Sequence, residues 1–247
     1  MDDKFYHECY LRVCQTRRLL EDLRDCGYTT LPRPVGAPPG PARGAAAVAE
    51  PPQTDLVSLT ALEEKLQNCT LCPLCESRRT VVFGRGNPHA DLVFVGEAPG
   101  REEDLQGRPF VGEAGQLLDK IIGAMALSAD AVYICNLIKC RPPANRDPEA
   151  AEVAACEPFL AAQLALIRPR IIVALGRFAA QTLLQNRTPI SRLRGQWHTY
   201  ENIPLMPTFH PAYLLRAPAE KKKLWEDMKQ VMRRLHHPDT APAAQSD

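Results

Sequence analysis

The stretch Asp91-Leu-Val-Phe-Val-Gly-Glu-Ala-Pro-Gly100 decides the fold class of this chain. Its first half is a short apolar run that ends in a glycine, which is typical of a strand buried on both faces of a parallel sheet. Its second half places Glu97 directly after that strand. Ligands of open parallel sheets bind at the carboxyl ends of the strands, so Glu97 is a candidate site residue.

Strands and helices alternate on either side of this stretch. Apolar runs predict further strands at residues 131–138, 170–176, 197–201 and 203–208. Helical patterns occupy residues 58–68, 114–126, 147–167, 176–185 and 220–235, whereas residues 101–112 show no regular pattern. Strands that alternate with helices predict a parallel sheet covered on both faces. We therefore expect an α/β fold with a central, mostly parallel four-stranded sheet flanked by helices.

The amino-terminal part of the chain differs from the rest in composition. Apolar residues recur at three- and four-residue steps over residues 1–30, which predicts an amphipathic helix. Seven of the 23 prolines lie within residues 31–53, which predicts a disordered linker over 31–54. The folded domain is expected at 55–237, and a disordered tail at 238–247. The first helix is either a docking element for a protein partner or a loosely packed appendage.

Composition limits the classes of protein to which the chain can belong. The 247 residues are 45% hydrophobic and 24% charged, as in ordinary globular proteins. The net charge is +1, so any nucleic-acid surface must be local. The chain starts without the apolar core of a signal peptide, and no apolar run approaches the roughly 20 residues that span a bilayer. We expect a cytoplasmic monomer without membrane association, in which clustered cysteines bind metal instead of forming disulfides.

Four of the nine cysteines form a candidate metal site. Cys69 and Cys72 are a C-x₂-C pair directly after a predicted helix, and Cys140 and Cys156 flank a loop rich in arginine and proline. Four thiolates from two distant segments can converge on one zinc ion or on one iron–sulfur cluster. The spacing does not distinguish these metals, and Cys75 makes an alternative ligand run possible.

Three further residue positions invite a functional explanation. Asn136 lies in an otherwise apolar strand, and a buried amide must be hydrogen-bonded, so it either braces a loop or binds a ligand. Phe110 is an aromatic in the segment after the first strand, where it contacts a ligand or plugs the core. His210 follows the last predicted strand. After it, the segment Leu-Leu-Arg at 214–216 is either a wedge that enters DNA or the buried first turn of a helix.

Four ordered blocks together resemble the family 4 uracil-DNA glycosylases, the iron–sulfur branch of that superfamily. The blocks are C-x₂-C-P-L at 69–74, G-E-A-P-G with G-R-P-F-V-G at 96–112, Y-I-C-N-x₃-C-R-P-P-x-N-R at 133–146 and F-H-P-x-Y-L-L-R at 209–216. The match covers about residues 68–235. It implies an enzyme that hydrolyses the N-glycosidic bond of deoxyuridine in single- or double-stranded DNA and leaves an abasic site.

The resemblance also implies roles for individual residues. A [4Fe–4S] cluster would be held by Cys69, Cys72, Cys140 and Cys156. Substrate would be bound and cleaved by Glu97, Ala98, Gly100, Glu103, Phe110, Asn136 and His210. DNA would be contacted by Arg141, Arg146, Leu214, Leu215 and Arg216. Of the two acids, we expect Glu103 to position the attacking water and Glu97 to shape the pocket floor.

Other functions stay open from the sequence. The chain lacks the His-bearing basic insertion after Cys140 that marks the branch trapping the sugar covalently, which favours turnover. A glycosylase for another deaminated base would share most of these features, and so would a catalytically silent DNA-binding module stabilised by metal. A ferredoxin-like electron carrier is disfavoured, because most of this chain builds a sheet with a pocket.

Overall fold

The computed structural model describes residues 58–236. These residues all belong to one of the two units of the chain, the unit Thr54–Asp247. The helix predicted for residues 1–30, the linker at 31–54 and the tail at 238–247 lie outside the described residues.

Within residues 58–236, six strands form one sheet. They are β1 (Arg85–Gly86), β2 (Leu92–Gly96), β3 (Tyr133–Asn136), β4 (Ile171–Leu175), β5 (His198–Tyr200) and β6 (Ile203–Thr208), in the order β1-β3-β2-β4-β6-β5. The four inner strands are parallel, and β1 and β5 pair antiparallel at the two edges. The predicted α/β fold and mostly parallel sheet are confirmed, with six strands where four were expected. At two residues, β1 is too short to show a hydrophobic period.

Nine helices and two 3₁₀ turns accompany these strands among the described residues. The helices are α1 (Leu59–Gln67), α2 (Leu74–Ser77), α3 (Arg101–Gln106), α4 (Glu113–Ala124), α5 (Ala150–Ile167), α6 (Gly176–Leu183), α7 (Ile190–Leu193), α8 (Pro211–Arg216) and α9 (Lys221–His236). The 3₁₀ turns are Pro143–Asn145 and Pro218–Glu220.

The core lies on both faces of the sheet. Alternate residues of β2 point to opposite faces, as the two-residue period of a strand requires. Val93 and Val95 pack in the cluster that includes residues of α5 and α6, whereas Leu92 and Phe94 pack in the cluster that includes residues of α4 and α9. Burial on both faces explains why the inner strands are continuous apolar runs.

The structure corrects two predictions about helix boundaries. The segment after Gly100 was expected to be irregular but forms α3, whose first turn carries Glu102, Glu103 and Asp104. Acids in a first turn stabilise the positive end of the helix dipole, and a helix of six residues is too short to show a hydrophobic period. Helix α5 begins at Ala150 instead of near Asp147, because the Glu152 carboxylate accepts a hydrogen bond from the Glu149 N–H (2.8 Å).

Helix α5 is long and apolar enough to cross a membrane, by length and composition only. Its residues Leu160, Leu164 and Ile167 are buried in the core cluster on one face of the sheet. The core helix of a soluble protein passes the same test, so the length and composition of α5 are weak evidence for a membrane span.

Candidate active site

A cavity of about 420 Å³ opens at the carboxyl edge of the parallel strands. In the sheet, Gly96 at the end of β2 pairs with Asn136 at the end of β3. Beyond this pair, the Ile138 N–H donates to the Glu97 carbonyl (3.1 Å). The structure brings nine predicted residues together in its lining: Glu97, Ala98, Gly100, Glu103, Phe110, Asn136, Arg146, His210 and Arg216.

Asn136 lines the cavity with an unsatisfied polar atom. Asn136 is 1% exposed, and its side-chain Oδ1 has no hydrogen-bond partner within residues 58–236. A buried acceptor without a partner costs about 1–3 kcal/mol. A Cβ at Gly96 would overlap this oxygen and would lie 2.6 Å from Phe110 Cζ, so a larger residue there would displace both side chains. Of the two sequence alternatives, the geometry favours ligand binding over a loop brace.

Phe110 forms a wall of the cavity beside His210. The two ring centroids are 5.6 Å apart at an interplanar angle of 30°. The backbone of Phe110 has a φ of 53°, which is unusual for a large side chain. Arg85 fixes this conformation by donating to the carbonyls of Pro109 (3.0 Å) and Phe110 (3.3 Å) while its guanidinium pairs with Asp119 (2.6 Å). The aromatic wall is therefore rigidly held.

Glu103 braces the loop that carries Phe110. Its Oε1 accepts hydrogen bonds from the N–H groups of Val111 and Gly112, both at 2.9 Å. Its Oε2 accepts from the Gly100 N–H at 3.1 Å, so this N–H is not free to contact a base. Both carboxylate oxygens are thus engaged in the protein. The geometry does not support the expectations that Glu103 positions water and that Gly100 offers its N–H.

Glu97 is the acid without such partners. No hydrogen bond holds its carboxylate among residues 58–236. Burial, with a smaller effect of Asp147, raises the pKa of Glu97 to about 7, and Arg177 opposes this rise. Asp147 and Arg177 are themselves an ion pair at 3.0 Å. Glu97 can therefore accept a proton close to neutral pH.

His210 presents a neutral imidazole to the cavity. Burial and the charge of Arg216 lower the pKa of His210 to about 4, against the opposing effect of Glu103. Its Nδ1 accepts a hydrogen bond from the Ala212 N–H (3.1 Å) at the start of α8, so the ring proton is on Nε2. The side chain packs against Gly176, whose φ of 89° suits a glycine and whose Cβ would lie 2.9 Å from that of His210.

Arginines surround the mouth of the cavity. The Arg146 guanidinium donates two hydrogen bonds to the buried Glu152 carboxylate, at 2.9 Å for Nη1–Oε2 and 2.5 Å for Nη2–Oε1. This pair holds the loop before α5. Arg141 is not in the cavity lining and donates to Asn145 Oδ1 at 2.7 Å. The Arg216 side chain is exposed at the rim of the cavity and makes no hydrogen bond or ion pair with residues 58–236.

Helix α8 corrects the predicted DNA wedge. Leu214 is 0% exposed and packs in the core cluster with α4 and α9 residues, so its side chain cannot enter DNA. Leu215 is 41% exposed. Tyr213 is 39% exposed, lines the cavity and packs on Phe209 with a centroid distance of 5.1 Å. Tyr213 is not among the residues predicted from the sequence, although an aromatic between His210 and the leucines was the available signal.

The four predicted metal ligands lie within electrostatic reach of one another. Burial raises the pKa of Cys140, and the Cys72 and Cys69 thiols add to this rise. Burial likewise raises the pKa of Cys156 to about 12, with smaller contributions from Cys140 and Cys72. Among residues 58–236 no three donors are close enough to hold a single metal ion. A set of thiols alone is nevertheless the donor chemistry of iron–sulfur clusters, in which several irons share the ligands.

Arg78 ties the two cysteine segments together. Its Nη1 donates to Cys140 Sγ at 3.3 Å, and its Nη2 donates to the Cys69 carbonyl at 2.7 Å. Hydrogen bonds from a cation to sulfur favour the thiolate, which is the form that binds metal. The donor set therefore fits an iron–sulfur cluster.

Known proteins resemble the chain over most of the described residues. The family model of the Uracil DNA glycosylase superfamily matches residues 83–229. A type-4 uracil-DNA glycosylase from Saccharolobus solfataricus is 41% identical over 187 residues, which cover 72% of this chain and 87% of that protein. One from Thermotoga maritima is 46% identical over 159 residues, covering 63% and 82%. A type-5 uracil-DNA glycosylase from Pyrobaculum aerophilum is 31% identical over 183 residues, covering 61% and 80%.

Proposed function

The chain belongs to the uracil-DNA glycosylase superfamily, and we propose that the cavity at the carboxyl edge of its sheet is its active site. It is a DNA-repair enzyme of the type-4 class, which hydrolyses the N-glycosidic bond of deoxyuridine and leaves an abasic site. The unpartnered Oδ1 of Asn136 carries the assignment of the cavity, because it is an acceptor reserved for a ligand.

Asn136 distinguishes uracil from cytosine. Its carbonyl oxygen accepts from uracil N3–H and its amide donates to uracil O4, whereas cytosine presents the opposite pattern of donor and acceptor. A polar pocket of this kind discriminates by about 10⁴–10⁵, because the wrong base leaves buried groups unpaired. The base enters the cavity after flipping out of the helix, at a cost of a few kcal/mol. Phe110 stacks on the extruded ring, which contributes about 1–3 kcal/mol for any base.

Two side chains act on the scissile bond. As the bond from the sugar to N1 breaks, negative charge develops on uracil and positive charge on the sugar. The Nε2–H of His210 stabilises the charge on uracil O2, in the manner of an oxyanion hole. The Glu97 carboxylate orients water toward the sugar carbon and accepts its proton as the new C–O bond forms. The uracil anion takes up a proton and Glu97 releases the one it accepted, so the products are free uracil and the abasic sugar.

The surroundings of the cavity bind the DNA strand. Arg216 and Arg141 contact phosphates, which sets the position of the strand without reading sequence. Leu215 fills the space that the flipped nucleotide vacates. The Ala98 N–H contacts the base, and Arg146 keeps the loop before α5 in place through Glu152.

Cys69, Cys72, Cys140 and Cys156 hold a [4Fe–4S] cluster. When bound, the cluster supplies a covalent cross-link between the segment after α1 and the loop that carries Arg141. The thiols-only donor set and the contacts of Arg78 support this assignment. A monomeric state, a cytoplasmic location and a protein partner for residues 1–30 stay predictions from the sequence.

An oligonucleotide assay tests the proposed site. The full chain, purified without oxygen, is incubated with a labelled strand that carries one uracil, and abasic sites are then cleaved with alkali. Scission that requires uracil and is strongly slowed in Asn136→Ala supports the assignment. Asn136→Asp is the matched variant, because it keeps the acceptor for N3–H but removes the donor to O4. Full activity of both folded variants would overturn the role of Asn136.

A further inference from the structure

Lys139 is a fully buried lysine between the base-binding residue and a cysteine of the predicted cluster. It follows Asn136 by three residues, precedes Cys140 by one and is 0% exposed. A buried ammonium is costly unless its protons are hydrogen-bonded. No carboxylate lies within ion-pair distance of Lys139 in the part of the chain that the structure describes. Packing alone does not require a charged side chain at this position.

The amino group of Lys139 is instead held by two neutral oxygens. Its Nζ donates to the backbone carbonyl of Asn136 at 2.7 Å and to Gln163 Oε1. The Gln163 amide in turn donates to the Phe83 carbonyl (3.1 Å) and to the Tyr133 hydroxyl (3.3 Å). Gln163 is also 0% exposed, so this network lies entirely in the interior. Each member is fixed by groups from a different part of the fold.

The backbone of Lys139 is anchored as well. Its carbonyl accepts from the Val82 N–H at 2.8 Å, and its N–H donates to Cys156 Sγ at 3.3 Å. The side chain therefore extends from a fixed point. From there it reaches back to the backbone carbonyl of Asn136.

We propose that Lys139 is a positioning residue, which fixes the Asn136 carbonyl and thereby keeps the Asn136 side chain directed at the base. The inference rests on the proposed role of Asn136. An asparagine whose Oδ1 is buried without a partner gains free energy by turning toward any protein donor. Holding its peptide group by the hydrogen bond from Lys139 Nζ (2.7 Å) opposes that motion. Pre-organisation of this kind matters because a small misplacement of a binding group is costly in rate.

A double-mutant cycle in the full chain tests this inference. Lys139→Met retains the length and apolar stem of the side chain but removes its donors. Single-turnover rates with excess enzyme on a G·U mismatch keep slow variants measurable. We expect Lys139→Met to reduce the rate by about 10- to 100-fold in the wild-type background, as expected for misplacement of a binding group. In the Asn136→Ala background the same substitution should change the rate by less than about twofold, because effects transmitted through one residue are not additive.

Three comparisons make the test decisive. Gln163→Met removes the other partner of Lys139 but leaves the contact with the Asn136 carbonyl, so it should lower the rate by less than Lys139→Met does. Equal losses for Lys139→Met in both backgrounds would mean a merely structural role and would overturn the inference. If Asn136→Ala keeps full activity, the proposed site itself fails. Should Lys139→Met not fold, Lys139→Gln enters the same cycle, and equal losses in both backgrounds again overturn the inference.

Discussion

At the scale of single residues, burial shifts the two candidate catalytic groups in opposite directions. Removing a group from water disfavours its charged form, so the pKa of Glu97 rises to about 7 and the pKa of His210 falls to about 4. At neutral pH the cavity therefore contains an uncharged imidazole donor and a carboxyl group that is near the midpoint of its titration. This separation of protonation states suits one group to bind an anion and the other to accept a proton.

Glu97→Gln tests the role of the ionised carboxylate. We expect a loss of about 10²–10⁴-fold in the single-turnover rate, the usual contribution of a general base. In the wild type the rate should rise with pH through about 7, because the carboxylate exists only above its pKa. The variant should lack that inflection when rates are measured between about pH 5.5 and pH 8.5, about 1.5 units on either side of that pKa. A wild-type pH profile in Glu97→Gln would contradict the assignment.

His210→Asn tests the neutral donor. Asparagine retains an N-cap acceptor for the Ala212 N–H but is too short to reach uracil O2. Loss of an oxyanion donor costs about 10²–10³-fold in rate, which single-turnover assays at pH 7.5 would detect. A loss below about threefold, far less than an oxyanion donor contributes, would argue against direct contact with the leaving base.

The same histidine makes a prediction for stability. Its pKa of about 4 in the folded chain lies below the ordinary value of 6.5, so the unfolded chain binds more protons between these values. The stabilising contribution is present above pH 6.5 and is lost as the pH falls toward 4. The midpoint of thermal unfolding should therefore fall less steeply with acid in His210→Asn than in the wild type. Identical acid dependence in the two proteins would exclude a buried neutral imidazole.

At the scale of elements, helix α3 and the loop after it act as one brace. The Glu103 carboxylate accepts hydrogen bonds from three backbone N–H groups, one at the start of α3 and those of Val111 and Gly112. The brace holds Phe110 in the left-handed region of backbone space. A carboxylate at this point therefore shapes the cavity and need not touch the reacting atoms.

Glu103→Gln separates bracing from catalysis. Glutamine keeps one acceptor oxygen but turns an NH₂ toward backbone donors, so we expect a loss of about 1–3 kcal/mol in the free energy of unfolding, the cost of unsatisfied buried groups. Urea denaturation measures this loss. The pH dependence of the rate should keep its inflection near 7, since Glu97 is unchanged. Loss of the inflection would reassign the proton acceptor to Glu103.

Helix α8 makes a second element-scale prediction through two neighbouring leucines. Leu214→Ala should lower the free energy of unfolding by about 2–5 kcal/mol, as for other buried leucines. Leu215→Ala should change it by no more than about 0.5 kcal/mol, because its side chain is largely exposed. Leu215→Ala should instead reduce the rate on duplex DNA more than the rate on single strands, which have no stack to fill. Equal reduction on both substrates would remove Leu215 from the DNA interface.

At the scale of the whole molecule, the four predicted cluster ligands come from parts of the chain that are far apart in sequence. Cys69 and Cys72 precede the sheet, whereas Cys140 lies in the loop between β3 and α5 and Cys156 lies within α5. Arg78 bridges the two segments through its hydrogen bonds to Cys140 Sγ and the Cys69 carbonyl. A metal cluster at this point would stabilise the loop that borders the active site, because metal binding is coupled to folding.

Metal analysis tests that arrangement. The chain purified without oxygen should contain about four irons, as one [4Fe–4S] cluster requires. Cys140→Ser should lose iron and lower the midpoint of thermal unfolding. Cys75→Ala is the matched control, because its thiol lies near Cys72 but is not a predicted ligand. Zinc in place of iron, or iron loss in Cys75→Ala with retention in Cys140→Ser, would overturn the ligand set.

The sequence by itself determined the α/β class, the mostly parallel sheet with most of its strands and helices, and the edge at which the candidate site lies. A strand that is buried on both faces appears in the sequence as an apolar run. The carboxyl end of each such run marks a position on the edge of the sheet, as it does for Glu97 and Asn136. These features are local in the chain, so a short window of sequence contains them. The resemblance of four blocks then identified the family.

Only the tertiary structure decided the surroundings of several of those residues. Glu103 and Glu97 look alike in sequence, but Glu103 is bound by Val111 and Gly112, whereas burial raises the pKa of Glu97. Leu214 and Leu215 are adjacent, and packing against α4 and α9 residues buries only the first. The network of Lys139 joins residues up to 80 positions apart. Protonation, burial and hydrogen bonding depend on such long-range contacts, which exist only once the chain has folded.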